Sequence, residues 1–217
     1  MLQPIDISSD TAIDGRRYYI REGYSVPSVT TILGATADQT YLNRWRANNP
    51  DGQSVAANRG NAVHSAIENF LLHGVEPDRG QAYPFFQHIK PLLQTIKPHF
   101  LELPIFSKQH GFAGRVDCGA LLTINGEDYN ILIDWKTSAK KKYKWYDYPL
   151  QLAAYLNGFR ETYPECGIPF SHTMIVCVNP EGVQLELFEA EQIDFYWEQF
   201  KKRLKQFKDF HVSAVGQ

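Results

Sequence analysis

Ile131-Leu132-Ile133-Asp134-Trp135-Lys136-Thr137-Ser138 reads as a short apolar β-strand that ends in a carboxylate and an ammonium. Residues two apart on a strand point to the same side, so Asp134 and Lys136 face one cleft. Ile131 and Ile133 lie opposite Leu132, which makes the strand apolar on both faces and central in its sheet. A buried strand rarely carries Asp and Lys together unless they pair or bind something. A plain salt bridge at a fraying strand end is the competing reading.

Upstream, residues 111–118 read as a second strand that delivers Asp117 within Gly-Arg-Val-Asp. Its connection to the first stretch turns near Asn125-Gly126, a strong hairpin signal. Two carboxylates and a lysine on neighbouring strands suit a divalent-metal site with a water-activating amine, the chemistry of phosphodiester hydrolysis. Strands are expected at 100–107, 111–118, 120–124 and 129–135. Glu102, in the first of them, is a candidate additional carboxylate for the same cleft.

The bulk numbers fit a globular α/β (α+β) chain. With 217 residues and 43% hydrophobic content it can build a sizeable core, and no linker or repeat interrupts it. The expectation is one unit over 1–217, with 1–53 as an N-terminal hairpin and helical extension and 54–210 as the core. A net charge of −2 does not announce a nucleic-acid binder, so any DNA surface must be a local patch. Three cysteines without paired spacing argue against structural zinc or an iron–sulfur cluster and suit a reducing setting. No apolar run reaches membrane length and no leader pattern opens the chain, so a soluble, cytoplasmic protein is expected.

Residues 16–26 read as a hairpin turning at Glu22-Gly23, followed by a short helix capped by Ser28. A helix over 39–47 is expected to bury Leu42 and Trp45. The next, over 54–72, closes at His73-Gly74 and carries His64 and Glu68 on one face. A helix over 81–96 should kink or break at Pro91. Beyond the sheet strands, a helix over 148–162 places Gln151 and Tyr155 on one face. Strands at 170–178 and 183–188 and a final amphipathic helix over 191–210 complete the chain.

Between the central strand and the 148–162 helix, residues 136–148 interleave five lysines with four aromatics. Lys140, Lys141, Lys142, Tyr143, Lys144 and Trp145 make this a compact patch for phosphates and stacked bases. A solubilising loop would explain the lysines but not the aromatics.

In this order and spacing, His64, Gly-Arg-Val-Asp117, Ile-Asp134-Trp-Lys136 and Gln151-x-x-x-Tyr155 resemble the PD-(D/E)XK nucleases of the RecB-like exonuclease branch. The likeness is strongest to the group containing the mitochondrial genome maintenance exonuclease and its phage relatives. It extends to Ser28-Val-Thr-Thr-Ile-Leu33, Arg59-Gly-Asn-Ala-Val-His64 and Pro149-Leu-Gln-Leu-Ala-Ala-Tyr155, together spanning roughly 27–200.

The resemblance implies a restriction-endonuclease-like core, a central mixed β-sheet flanked by helices with an N-terminal helical region. It also implies Mg²⁺- or Mn²⁺-dependent cleavage of DNA, with single strands and free ends preferred and a monomer favoured. Asp117 and Asp134 match the metal-binding carboxylates, with the Trp135 carbonyl beside them, and Lys136 matches the catalytic lysine. His64 matches a histidine that reaches the metal, and Gln151 and Tyr155 match the motif on the helix beside the active site. The missing mitochondrial targeting segment points to a phage or bacterial protein. Lys136 either accepts the proton of the attacking water or stabilises charge. Two rival readings are an endonuclease of the same fold and a non-catalytic DNA- or partner-binding module.

Overall fold

The computed structural model describes residues 2–13 and 15–215, without the side chains of Tyr41, Leu42, Trp45 and residues 211–215. The expected burial of Leu42 and Trp45 therefore lies outside the described residues. The elements run β1 (Ser8–Thr11), β2 (Arg17–Arg21), β3 (Tyr24–Pro27), α1 (Val29–Ala35), α2 (Gln39–Asn48), α3 (Gly52–His73) and α4 (Tyr83–Leu93). They continue with β4 (Lys97–Ser107), β5 (Phe112–Ile124), β6 (Glu127–Thr137), α5 (Tyr148–Thr162), β7 (His172–Asn179), β8 (Gly182–Phe188) and α6 (Ala190–Val215).

Five strands form the main sheet in the order β4-β5-β6-β7-β8. β6 and β7 are parallel and every other pair is antiparallel. The chain is thus a mixed α/β protein, compatible with a restriction-endonuclease-like core. β6 is the central strand, and both of its faces are covered. Leu132 packs with Leu152, Leu156 and Phe200 from α5 and α6. Ile131, Ile133 and Trp135 pack with Val63, Ile67, Phe86 and Ile89 from α3 and α4. Double coverage is what its uninterrupted apolar run requires.

Tight turns fix the registers. Asn125 and Gly126 both adopt positive φ (52° and 87°), the backbone of a primed two-residue hairpin between β5 and β6. Glu22 and Gly23 do the same between β2 and β3. Ser28 caps α1 by accepting from the Thr31 N–H at 3.0 Å, and Gly74 ends α3 in the left-handed conformation. Since parallel strands need a crossover, α5 carries the chain from β6 to β7.

Two expectations need correction. The separate strands at 111–118 and 120–124 are one strand, β5. Gly119 does not break it: a Cβ there would fall 2.3 Å from Phe100 and 2.9 Å from Phe170, so the glycine lets two buried rings lie against the strand. The N-terminal hairpin is also larger than expected, because β1 adds a third strand. Its Tyr19 and Val26 pack on Phe106 and Ala113, while Val29, Ile32 and Leu33 of α1 enter the core beside α5 and α6. Among the described residues, no helix is long and apolar enough to cross a membrane.

Arg203 of α6 ties three elements together. Its guanidinium donates to both carboxylate oxygens of Asp147 (3.1 and 3.2 Å), to Thr36 Oγ1 (2.5 Å) and to the Leu33 carbonyl (2.6 Å). The clamp joins the end of α1 to the start of α5, the two points from which α2 and the lysine-rich segment depart. Replacing Arg203 with methionine keeps the stem but strands Asp147 and a helix-end carbonyl. The expected cost is about 2 kcal/mol in urea unfolding, the scale of lost charge-assisted hydrogen bonds.

Candidate active site

The site sits where the sheet forks. The β5–β6 ladder ends at the Cys118–Ile133 pair, and the two strands then separate. In place of a ladder carbonyl, Asp117 Oδ2 accepts the Trp135 N–H at 2.8 Å. Asp117 and Asp134 thereby face one another across the mouth of the fork. On the other side of β5, Glu102 lies between two regular β4–β5 pairs with φ of 49°, a left-handed backbone unusual for a non-glycine residue. Such strain collects at functional sites.

Helix α3 supplies the next group. His64 Nε2 donates to the Trp135 carbonyl at 2.9 Å, so its proton sits on that nitrogen and Nδ1 carries the lone pair. Nδ1 lies 3.8 Å from Asp117 Oδ2. Burial lowers the His64 pKa from 6.5, outweighing the opposing field of Asp134, and keeps the imidazole neutral near pH 7.

Helix α5 completes the constellation. Lys136 Nζ forms a close ion pair with Asp134 Oδ2 at 2.6 Å. Gln151 spans the pair: its amide nitrogen donates to Asp134 Oδ1 (2.9 Å) and to the Tyr155 hydroxyl (3.0 Å), and its carbonyl accepts from Lys136 (3.3 Å). Tyr155 stands one step back and positions Gln151. Its ring lies against Gly114, where a Cβ would come within 2.6 Å of the ring. Lys136 also lies 4.9 Å from the centre of the Tyr148 ring, a cation–π contact.

Negative charge exceeds its compensation here. Burial, reinforced by Asp134, pushes the Asp117 carboxyl well above the usual carboxylate range despite Lys136. Burial likewise raises Glu102, with Arg115 opposing. Burial works against the Lys136 ammonium too, but Asp134 and Asp117 outweigh it and hold its pKa above the ordinary value.

His64, Glu102 and Asp117 each offer a ligand atom within 4.8 Å of the others. One imidazole and two carboxylates fit a divalent cation. The structure brings Glu102 into this group more tightly than Asp134, which turns to Lys136 and Gln151, while the Trp135 carbonyl is engaged by His64.

The segment between β6 and α5 divides in two. Tyr143 (89% exposed) and Tyr146 project outward, with Lys140, Lys141 and Lys144 exposed beside them. Trp145 packs on the core. The Lys142 backbone is clamped from both sides by Gln184 of β8 (2.8 and 2.9 Å).

Sequence reading missed Arg59 and Thr137, joined at 3.3 Å, and the close approach at Gly114. Its only signal was a glycine inside a strand, which often marks such an approach.

No family model matches the chain, and no curated protein matches it. Among solved structures, SSO0001 gives a TM-score of 0.33 at 18% identity, covering 51% of this chain and 50% of that one. A Eubacterium rectale protein named as a candidate exonuclease gives 0.42 at 9% identity, covering 70% of this chain and 68% of that one. Neither likeness is close enough to carry a conclusion about this chain.

Proposed function

We propose that this chain is a metal-dependent exodeoxyribonuclease of the PD-(D/E)XK type, one nuclease unit acting on single-stranded DNA with free ends in phage or bacterial DNA metabolism. The observation that carries the reading is the fork itself. It gathers Asp117, Asp134, Lys136 and Gln151 with His64 and Glu102 at one end of the β5–β6 pair, three carboxylates around one histidine and one lysine.

His64 through Nδ1, Glu102 and Asp117 would hold Mg²⁺ or Mn²⁺, with Asp134 and the Trp135 carbonyl adjacent. The ion supplies Lewis-acid charge at a phosphoryl oxygen and lowers the pKa of water. Lys136, kept protonated by Asp134 and Asp117, places a positive charge where the phosphate gains negative charge and orients the attacking water. Gln151 fixes Lys136 and Asp134 relative to one another. Tyr155, its pKa pushed well up by burial, stays a phenol and holds Gln151.

The lysines and aromatics of 140–146 would carry the strand through phosphate contacts and stacking, without base readout. α2 and the first half of α3 form an exposed arm leading into His64, with Arg44 and Arg46 on its surface and Val55 53% exposed. As a cover over the strand, such an arm would admit free ends.

Incubating the chain with end-labelled linear and with circular single-stranded DNA, in Mg²⁺, Mn²⁺ or EDTA, tests this reading. The expected outcome is metal-dependent loss of the linear strand with the circle intact. Cutting of the circle would make the chain an endonuclease, and binding without cleavage would make it a non-catalytic module.

A further inference from the structure

Beside the carboxylates, the end of β6 carries a second pole of opposite sign. α3 runs along this end, with His64 against the Trp135 carbonyl and, one turn earlier, Arg59 and Gly60 against Thr137. Five helical residues rise about 7.5 Å and two strand residues span about 6.6 Å, so the contacts stay in step. That span is comparable to the spacing of successive phosphates along an extended strand.

Arg59 is half-buried. Its Nε donates to Thr137 Oγ1 at 3.3 Å, and its guanidinium lies 5.8 Å from the Phe85 ring centre. Among the described residues no carboxylate pairs with it, an unusual state for a half-buried guanidinium. The hydroxyl of Thr137 accepts from Arg59 and keeps its own proton to donate.

Across the sheet, Lys136, Cys177 and Gln184 stand in one row, and Gln184 anchors the Lys142 backbone. Lys142 has no carboxylate partner among the described residues either, and its ammonium lies 5.6 Å from the centre of the Tyr148 ring that also receives Lys136. Lys136 answers Asp134, whereas Arg59 and Lys142, on opposite faces of the sheet, have no carboxylate partner among the described residues.

We infer that Arg59 and Thr137 form a phosphate subsite beside the reacting centre, gripping a neighbouring phosphate of the same strand. The inference rests on the nuclease reading above and adds a specificity element to it. The guanidinium offers its two terminal nitrogens and Thr137 a hydroxyl, a donor set suited to phosphate oxygens. A phosphodiester flanking the cleaved bond and a phosphate monoester at the strand end share this chemistry.

Two readouts on the full chain test it. First, binding of an oligothymidylate is measured against salt in EDTA. Arg59→Ala should flatten the slope by about 0.7, one phosphate on a single strand, whereas Arg59→Lys should keep most of it. Second, oligonucleotides carrying one uncharged methylphosphonate at each position, with and without terminal phosphates, are digested with Mn²⁺. One position should slow the wild-type chain by about tenfold, the scale of a lost charge-assisted contact. In Arg59→Ala and Thr137→Val that position should cause no further loss. A diester subsite shows this at an internal position, and a monoester subsite only with phosphorylated ends. Thr137→Val, nearly isosteric, guards against a folding defect in Arg59→Ala, and circular dichroism melts check both. If the wild-type chain binds without cutting, the nuclease reading fails and the salt slope alone decides the subsite. Unchanged slopes, equal losses at every position in variant and wild type, or no strand binding by the wild-type chain would overturn it.

Discussion

Replacing Lys136 with alanine is expected to lower strand cleavage by about 10²–10⁴-fold, the range typical of a positioned acid–base or charge-stabilising group. Its ammonium sits 2.6 Å from Asp134 and 3.3 Å from Gln151 on the open side of the fork. In the ion-free protein it is held in the charged form, which favours charge stabilisation over proton acceptance as its role. The substitution also leaves Asp134, 1% exposed, without its cation. Breaking a buried pair from one side costs about 3–5 kcal/mol when the remaining charge is uncompensated. A proton or a divalent ion can relieve that charge, so the variant should still bind Mn²⁺ and regain stability with it. Single-turnover cleavage and melting with and without Mn²⁺ separate the two effects. Cleavage within threefold of wild type would remove Lys136 from the chemistry.

Divalent ions are expected to stabilise the folded chain by about 2.7 kcal/mol at an ion concentration 100 times Kd. Asp117→Asn should abolish this gain while preserving the fold, because an asparagine oxygen can still accept the Trp135 N–H. The pH dependence has a definite sign. In the folded, ion-free chain Asp117 titrates well above its ordinary 3.8, so between those two values the folded state holds more protons than the unfolded one. Stability from this group is therefore present at low pH and declines as pH rises through the window. Glu102 acts in the same direction. His64, lowered from 6.5, acts oppositely and costs stability as pH falls below that value. In EDTA near neutral pH, Asp117→Asn should thus be at least as stable as wild type. With metal present the order should reverse. Denaturant unfolding across pH, in EDTA and in Mn²⁺, measures both.

Much of this architecture is legible in the chain because its signals are local. The Asn125-Gly126 turn, the Ser28 cap, the Gly74 helix end and the apolar run at 131–133 each depend on a few adjacent residues, and each stands where periodicity and turn chemistry place it. The 148–162 helix agrees to the residue. The failures involve contacts distant in sequence. Gly119 resembles a strand break until Phe100 and Phe170, both remote from it, are seen to occupy the space of its missing side chain. β1 is short and exposed, with no alternation to reveal it.

The site divides in the same way. Asp134 and Lys136 share a face because strand geometry demands it, and Gln151 and Tyr155 share one because helix geometry does. That Gln151 bridges Asp134 to Lys136 depends on how α5 packs, which no spacing encodes. Glu102 was visible as a carboxylate, but its left-handed backbone opposite Asp117 was not. Arg59 lies one turn before His64 in the same segment, yet its use depends on α3 running beside Thr137.

The most direct test of the metal centre is anomalous diffraction from a crystal of the full chain grown with Mn²⁺. The account predicts a peak among His64, Glu102 and Asp117, adjacent to Asp134 and absent in Asp117→Asn. A fully loaded crystal with no peak there, or with Mn²⁺ bound only elsewhere, would contradict it.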